Sequence, residues 1–369
     1  MNHISRRDLL KLLAGTAAAA GLPAPAFSRW SSKAKPYEFL VAGDSLVWGQ
    51  GLEEKDKFYY LTAEWLRREV FTNGRDVRLK VKAHSGSTLK FQQDEAEKYR
   101  IAGRDETYPY PPEVNIGMPS VWKQIEVAAD EYRRDGVSGA DLIMMTGGIT
   151  DISTAEVLNP NGDMKLLREQ IKKHVNGSTY DVLEHAVRLH PNSLIAVVGY
   201  FHAITQYSDA KKLFNAWLEV LKFPRALKFV PNNPLGRALF FNKLKRRAVE
   251  RSRVWHQESS IAQQDAVDRL NAKLGTARAV FIPSPLTEQD AIEAPGTKLF
   301  RMRKGGIVDD PVARQRIIDC RISLPELKRS TGIDYPVRLC EAAAIGHPDK
   351  AGSRAYADAI IAKLSGRIR

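Results

Sequence analysis

The sequence has little of what cofactor and nucleic-acid sites require. Only two cysteines, Cys320 and Cys340, occur among its 369 residues, and two cysteines alone cannot form a metal-binding framework. There is no zinc-finger spacing, RNA-recognition signature, P-loop or G-x-G-x-x-G turn. We therefore expect no cofactor, no metal and no nucleic acid. The two cysteines either form one disulfide or occupy separate places in the core.

The apolar stretch near the N-terminus, Leu12 to Leu22, is too short and too rich in alanine to span a membrane well. It follows Ser5-Arg6-Arg7-Asp8-Leu9-Leu10-Lys11 and precedes Ala24-Pro25-Ala26. This order predicts a signal peptide over residues 1–26, and the paired arginines indicate export by the twin-arginine machinery. The expected location is periplasmic or secreted. Cleavage after Ala26 and retention as an uncleaved anchor both stay open.

Acidic side chains are the minority, and the formal net charge is +13. Removing residues 1–26 takes away a net +2 and leaves +11. A basic exported protein meets anionic envelope surfaces, which we count among its partners. Part of the charge lies on one predicted helical stretch and is either a surface contact or a solvated helix face; its members are Lys243, Lys245, Arg246, Arg247, Arg251 and Arg253.

After a polar linker at 27–36, apolar runs alternate with helical patterns. Strands are predicted at about 38–42, 77–83, 141–146, 194–200 and 277–282. Helices are predicted at about 58–71, 121–134, 166–189, 235–274 and 350–368. This alternation predicts an α/β fold with three layers, α/β/α, around a five-stranded parallel sheet. Residues 37–369 form one domain in this interpretation, with a helical insertion at about 208–262.

One turn carries the strongest chemical signal. Gly43-Asp44-Ser45-Leu46 directly follows the apolar run Phe39-Leu40-Val41-Ala42. A strand that ends this way presents a serine at the carboxyl edge of the sheet, where open α/β sheets hold their ligands. A serine after Gly-Asp is often a helix N-cap, but the nearest predicted helix begins too far downstream for Ser45 to be its obvious cap. Three further segments follow in order: Ser85-Gly86-Ser87, Gly148-Ile149-Thr150-Asp151 and Gly346-His347-Pro348-Asp349.

Together these segments resemble the SGNH, or GDSL, family of serine hydrolases, over roughly residues 37 to 360. The resemblance implies a flavodoxin-like strand order, 2-1-3-4-5, and a serine esterase. It makes Ser45 the nucleophile and His347 the base, which titrates in the ordinary imidazole range, roughly 6 to 7. Its oxyanion donors would be the backbone N–H of Ser45, the backbone N–H of Gly86 and the side chain of Thr150.

Two positions depart from the family pattern. Thr150 stands where the family has asparagine, and Ala344 stands where an aspartate would orient the histidine. A main-chain carbonyl or another acid must then face His347; the candidates are Asp309, Asp310, Asp334 and Glu341. We therefore expect a Ser-His dyad that hydrolyses an oxygen ester of a lipid, a short acyl group or an O-acetylated sugar. The alternative is a weakly active or non-catalytic protein that binds envelope or glycan on the same fold.

Overall fold

The predicted strands pair in parallel as one five-stranded sheet of order β2-β1-β3-β4-β5. The strands are β1 (Tyr37–Ala42), β2 (Val77–Val81), β3 (Leu142–Met145), β4 (Leu194–Val198) and β5 (Ala279–Ile282). A two-stranded antiparallel pair, β6 (Met302–Arg303) and β7 (Ile307–Val308), lies outside it. The computed structural model describes residues 35–90, 97, 100–101, 110–209, 211–213, 234–303 and 307–368. The predicted signal peptide and most of the linker lie outside these residues.

Helices cover both faces of the sheet and confirm the three-layer α/β/α prediction. Their bounds are α1 (Ser45–Trp48), α2 (Phe58–Trp65), α3 (Val121–Arg134), α4 (Ile149–Ile152), α5 (Thr154–Val157), α6 (Met164–Gln170), α7 (Thr179–Leu189), α8 (Pro234–Leu274), α9 (Ala313–Thr331), α10 (Val337–Glu341) and α11 (Lys350–Leu364). Two π-helical segments, Leu66–Val70 and Ile171–Ser178, continue α2 and join α6 to α7. Two 3-10 turns, Glu54–Asp56 and Glu288–Asp290, complete the described elements.

Side chains along β1, β3, β4 and β5 alternate between two apolar cores. Phe39 and Val41 of β1 lie in the core beneath α2 and α11, whereas Leu40 and Ala42 lie in the core beneath α3, α7 and the C-terminal part of α8. Every residue of β3 is buried. Two covered faces explain why these strands are continuously apolar instead of alternating with polar residues.

The long helix α8 connects β4 to β5 and includes the described end of the predicted insertion. Residues 214–233 of that insertion lie outside the described part of the chain. Three residues of the basic cluster on this helix are already engaged within the chain and so are less available to an anionic surface. Arg251 is buried against Glu156, at 3.0 Å, and Arg253 pairs with Glu250, at 2.6 Å. Lys245 donates to the carbonyl of Gln206, at 2.8 Å.

Helix α9 was not predicted from the sequence. Pro325 interrupts its pattern, and apolar residues occur on its exposed side, where Ile322 is 62% exposed. Its buried side carries Cys320, which forms a disulfide with Cys340 of α10. Of the two possibilities left open by the sequence, a disulfide or two separate core cysteines, the structure therefore has the disulfide. It lies just before the segment that carries His347.

We predict that this disulfide supports the folded state substantially. The two cysteines are 20 residues apart, and closing a loop of that length contributes roughly 3 kcal/mol through the entropy of the unfolded chain. Thermal unfolding with and without a reductant should show a lower midpoint for the reduced protein. The double variant Cys320→Ser/Cys340→Ser should match the reduced protein and no longer respond to the reductant. Equal midpoints for both forms would contradict this.

Candidate active site

The turn after β1 depends on a glycine. Gly43 has φ +146°, and a Cβ there would lie 2.6 Å from Cγ1 of Val47 and 2.7 Å from the carbonyl oxygen of Thr146. Only glycine tolerates both this backbone conformation and this close approach. Helix α1 begins at the next residue but one, with Asp44 as its N-cap. Ser45 is therefore not the N-cap of a helix, and a single helical turn that the sequence did not predict begins with it.

Asp44 is fully buried and connects the ends of three strands. Its carboxylate accepts hydrogen bonds from the backbone N–H of Leu46, at 3.0 Å, and from the hydroxyl of Thr146, at 2.6 Å. The hydroxyl of Tyr200 donates to its second oxygen. Burial raises the pKa of this carboxyl, while the hydrogen bonds favour its charged form. Asp44 thus fixes the orientation of the turn that carries Ser45.

Ser45 and His347 meet although 302 residues separate them. Nε2 of His347 lies 2.7 Å from Oγ of Ser45, a hydrogen-bond distance. The serine is at the start of α1, and the histidine precedes Asp349, whose carboxylate caps α11 through the N–H groups of Ala351 and Gly352. The arrangement can transfer a proton from the hydroxyl to the imidazole.

The other ring nitrogen of His347 has no acid beside it. Among the described residues Nδ1 is buried and has no hydrogen-bond partner. Three of the candidate acids bind basic side chains elsewhere: Asp310 binds Arg316, Glu341 binds Arg321, and Asp334 binds Lys328.

Ala344 itself packs in a small apolar cluster with Leu52, Phe300 and Ala342, so that no charge occupies the family's position for the acid. The carbonyl groups of residues 343–345 lie near the ring and are its remaining polar neighbours on this segment.

Burial, and after it the guanidinium of Arg316, lowers the pKa of His347 to about 4. The carbonyl groups of residues 343–345 act in the opposite direction but are outweighed. Our expectation of a titration between 6 and 7 therefore changes to one near 4. The imidazole is neutral at ordinary pH and able to accept a proton, but it is a weaker base than an unperturbed histidine.

Gly86 lies in a loop that is fastened to the serine turn. The N–H of His84 donates to the carbonyl of Gly43, at 3.0 Å. The buried side chain of Gln124 accepts from the N–H of Gly43, at 2.6 Å, and donates to Oγ of Ser87, at 2.9 Å. Within the described residues the N–H groups of Ser45 and Gly86 have no acceptor. Both remain available to a ligand.

Thr150 is the third predicted donor, and its hydroxyl already has an acceptor. It donates to the carbonyl of Ser87, one residue after Gly86. The neighbouring Asp151 accepts from the N–H of Leu89, at 3.0 Å, and burial raises its pKa to about 6. In this geometry Thr150 supports the Gly86 loop, and it would have to release Ser87 before donating to a ligand.

Sequence reasoning missed Gln124, Thr146 and Arg316. Gln124 lies on α3 between ordinary core residues, and Thr146 follows an apolar strand. Tyr200, which follows β4, lies in the core and is hydrogen-bonded to Asp44. A polar residue among buried apolar ones is the only local signal that could have drawn attention to Gln124.

Comparison with known proteins identifies the N-terminal segment. Residues 3–23 match the family model for a TAT (twin-arginine translocation) pathway signal sequence. The match indicates export by that machinery, to the periplasm or out of the cell, as predicted. None of the described helices combines the length and the apolar character of a membrane span. No curated protein shows significant sequence similarity to the chain.

Several solved structures resemble the chain at low identity. An extracellular lipase from Streptomyces rimosus is 14% identical with a TM-score of 0.43, over 89% of this chain and 99% of the lipase. A phospholipase A1 from Streptomyces albidoflavus NA297 is 13% identical with a TM-score of 0.41, over 89% and 99%. A family two carbohydrate esterase from Clostridium thermocellum is 11% identical with a TM-score of 0.36, over 90% and 65%. Likenesses this distant carry no functional argument, which must come from the site itself.

The Gly86 loop gives a prediction with a matched control. Gly86 and Gly74 have similar backbones, φ +85° and φ +81°, so alanine costs each about 1 kcal/mol or more in conformational strain. A Cβ at Gly86 would also lie 2.4 Å from the carbonyl oxygen of Ile116, whereas nothing lies within 4 Å at Gly74. Chemical denaturation should show a larger loss of stability for Gly86→Ala than for Gly74→Ala. Equal losses of stability in the two variants would contradict the prediction, because the close contact at Gly86 would then have no measurable cost.

Proposed function

We propose that the chain is an exported serine ester hydrolase of the SGNH, or GDSL, type. The observation that carries the proposal is the 2.7 Å contact between Oγ of Ser45 and Nε2 of His347 at the carboxyl edge of the sheet. The order of the four motifs along the chain supports the same family. The substrate class is an oxygen ester, as in lipid, short-chain acyl or O-acetyl sugar esters.

In the first half of the reaction Ser45 attacks the carbonyl carbon of the ester. His347 takes the hydroxyl proton on Nε2 as the bond from Oγ to carbon forms. The N–H groups of Ser45 and Gly86 hold the negative oxygen, since neither has an acceptor within the described part of the chain. His347 then gives its proton to the leaving alkoxide, and the ester bond breaks to leave an acyl group on Ser45.

In the second half water replaces the alcohol. His347 removes a proton from the water, the hydroxide attacks the acyl-Ser45, and the acid product leaves as Oγ is reprotonated. During each proton transfer the imidazole becomes positive. The carbonyl groups of residues 343–345 stabilise that charge, whereas Arg316 opposes it. The base therefore works without a carboxylate partner, and we expect modest turnover.

A second candidate is a binding protein with little or no catalysis. It is favoured by Ala344, which leaves His347 without an acid, and by Thr150, whose hydroxyl is bound to Ser87. A fluorophosphonate probe separates the two candidates because it labels only an activated serine.

We predict that the probe labels Ser45 and that Ser45→Ala abolishes the labelling. Hydrolysis of a p-nitrophenyl ester should fall on the order of 10⁴-fold or more in this variant, as for other serine nucleophiles. Ser353→Ala, at a buried serine that donates to the carbonyl of Asp56, is the matched control and should keep both labelling and turnover. Unchanged turnover in Ser45→Ala would refute the assignment.

The pKa of His347 predicts the pH dependence. Because the folded-state pKa is lowered to about 4, the imidazole is already neutral above that pH, so kcat/KM should rise with pH through about 4 and then level off. Asp151, with its pKa raised to about 6, is the competing source of a later rise. A rise near 6 that is lost in Asp151→Asn belongs to Asp151. A rise between 6 and 7 that persists in Asp151→Asn would contradict the value for His347.

A further inference from the structure

A buried cluster of three charged side chains lies behind His347. The guanidinium of Arg316, on α9, is fully buried and makes two parallel bonds to Asp310, Nη1 to Oδ1 at 2.9 Å and Nη2 to Oδ2 at 2.5 Å. Its Nη1 also lies 3.2 Å from Oε2 of Glu113. A buried arginine is tolerated only when its charge and its N–H groups are satisfied in this way.

The cluster joins the two segments that carry the proposed dyad. On one side Glu113 accepts from Nε1 of Trp48, at 2.7 Å, and from the side chain of Gln50, at 2.9 Å, both just after Ser45. On the other side Nε of Arg316 donates to the carbonyl of Glu341, at 3.1 Å, six residues before His347. The ion pair of Arg316 and Glu113 therefore connects the segment that carries Ser45 to the segment that carries His347.

The disulfide reinforces the same connection. Cys320 lies one helical turn after Arg316 on α9, and it is bonded to Cys340, the residue before Glu341. The guanidinium and the disulfide thus hold α10 at neighbouring points. The segment from Glu341 to His347 begins from this fixed position, which compensates for the missing side-chain contact at Ala344.

The charges around His347 come from several elements. Arg316 is the one with a marked effect on the imidazole, and Asp310 and Glu113 balance it. Lys57, at the start of α2, is buried over the Trp48 ring and interacts with Glu113 from the far side. Two further carboxylates on this segment are engaged elsewhere: Glu341 binds Arg321, and Asp349 caps α11.

We propose that Arg316 is a positioning residue that takes over the work of the family's missing aspartate. It does so by geometry and not by charge, because it holds the His347 segment against the Ser45 turn through Glu113 and Glu341. A positive guanidinium at this place also adds to the effect of burial, which favours the neutral imidazole, where an aspartate would favour the imidazolium. The inference rests on the proposed Ser45–His347 chemistry.

The test separates the geometry of Arg316 from its charge. Arg316→Lys keeps the charge but loses the planar fork that binds Asp310 and the Glu341 carbonyl. Arg316→Gln removes the charge and leaves Asp310 and Glu113 nearby. Arg321→Gln is the matched control, since Arg321 lies on the same helix and binds the exposed side of Glu341, at 2.6 Å. Each variant is checked for cooperative thermal unfolding and assayed with a p-nitrophenyl ester across pH.

We expect Arg316→Lys to lower kcat about tenfold or more, with KM and the acid limb of the pH profile near wild type. In Arg316→Gln the acid limb should move up by about one pH unit or more, because a repelling charge is lost and two carboxylates remain. Arg321→Gln should behave like wild type in both respects. If Arg316→Gln does not unfold cooperatively, Arg316→Lys decides alone.

Two failures are distinguishable. A wild-type protein that neither turns over nor is labelled at Ser45 overturns the proposed function and this inference with it. A wild-type protein that is active through Ser45, with Arg316 variants indistinguishable from Arg321→Gln, overturns only the role of Arg316. If Arg316→Lys and Arg321→Gln lose kcat equally, the role of Arg316 is also overturned, because a general weakening of α9 would then be the cause.

Discussion

The buried carboxylate of Asp44 is the constraint on which the site depends. A charged oxygen removed from water must be offset by hydrogen bonds, and here the donors are Leu46, Thr146 and Tyr200. They belong to the ends of three neighbouring strands, so satisfying one carboxylate also fixes the edge of the sheet. Ser45 follows Asp44 directly and inherits its orientation.

The proposed base, His347, is supported in an unusual way for the family that the chain resembles. Ala344 and its apolar neighbours occupy the place of an acid, and Nδ1 of His347 finds no partner within the described residues. Carbonyl groups of the same segment supply the polar surroundings, and a buried guanidinium stands behind them. The result is an imidazole held by backbone geometry and kept neutral, so that it is free to accept a proton but is a weak base.

The disulfide between the two cysteines is consistent with the export signal. A protein directed out of the cytoplasm enters compartments where disulfides persist. The bridge between Cys320 and Cys340 joins α9 to α10 close to the His347 segment. Helices α9 and α10 contribute no strand to the five-stranded sheet, and the covalent link together with the Arg316 cluster connects them to each other and to Glu113.

The sequence by itself determined the five strands, their order through the resemblance, and the export signal, and it singled out Ser45, Gly86 and His347 as candidate site residues. Each of these has a local signature: a continuous apolar run, a glycine-containing turn or a short motif. Only the tertiary structure decided the partners of Asp44, the occupied hydroxyl of Thr150, helix α9 and the cluster of Arg316 with Glu113. Those two charges are 203 residues apart, and charged residues are usually on the surface, so nothing local marks them as buried. The perturbed pKa of His347 has the same origin, because burial and a distant guanidinium act through space and leave no trace in the pattern of residues around the histidine.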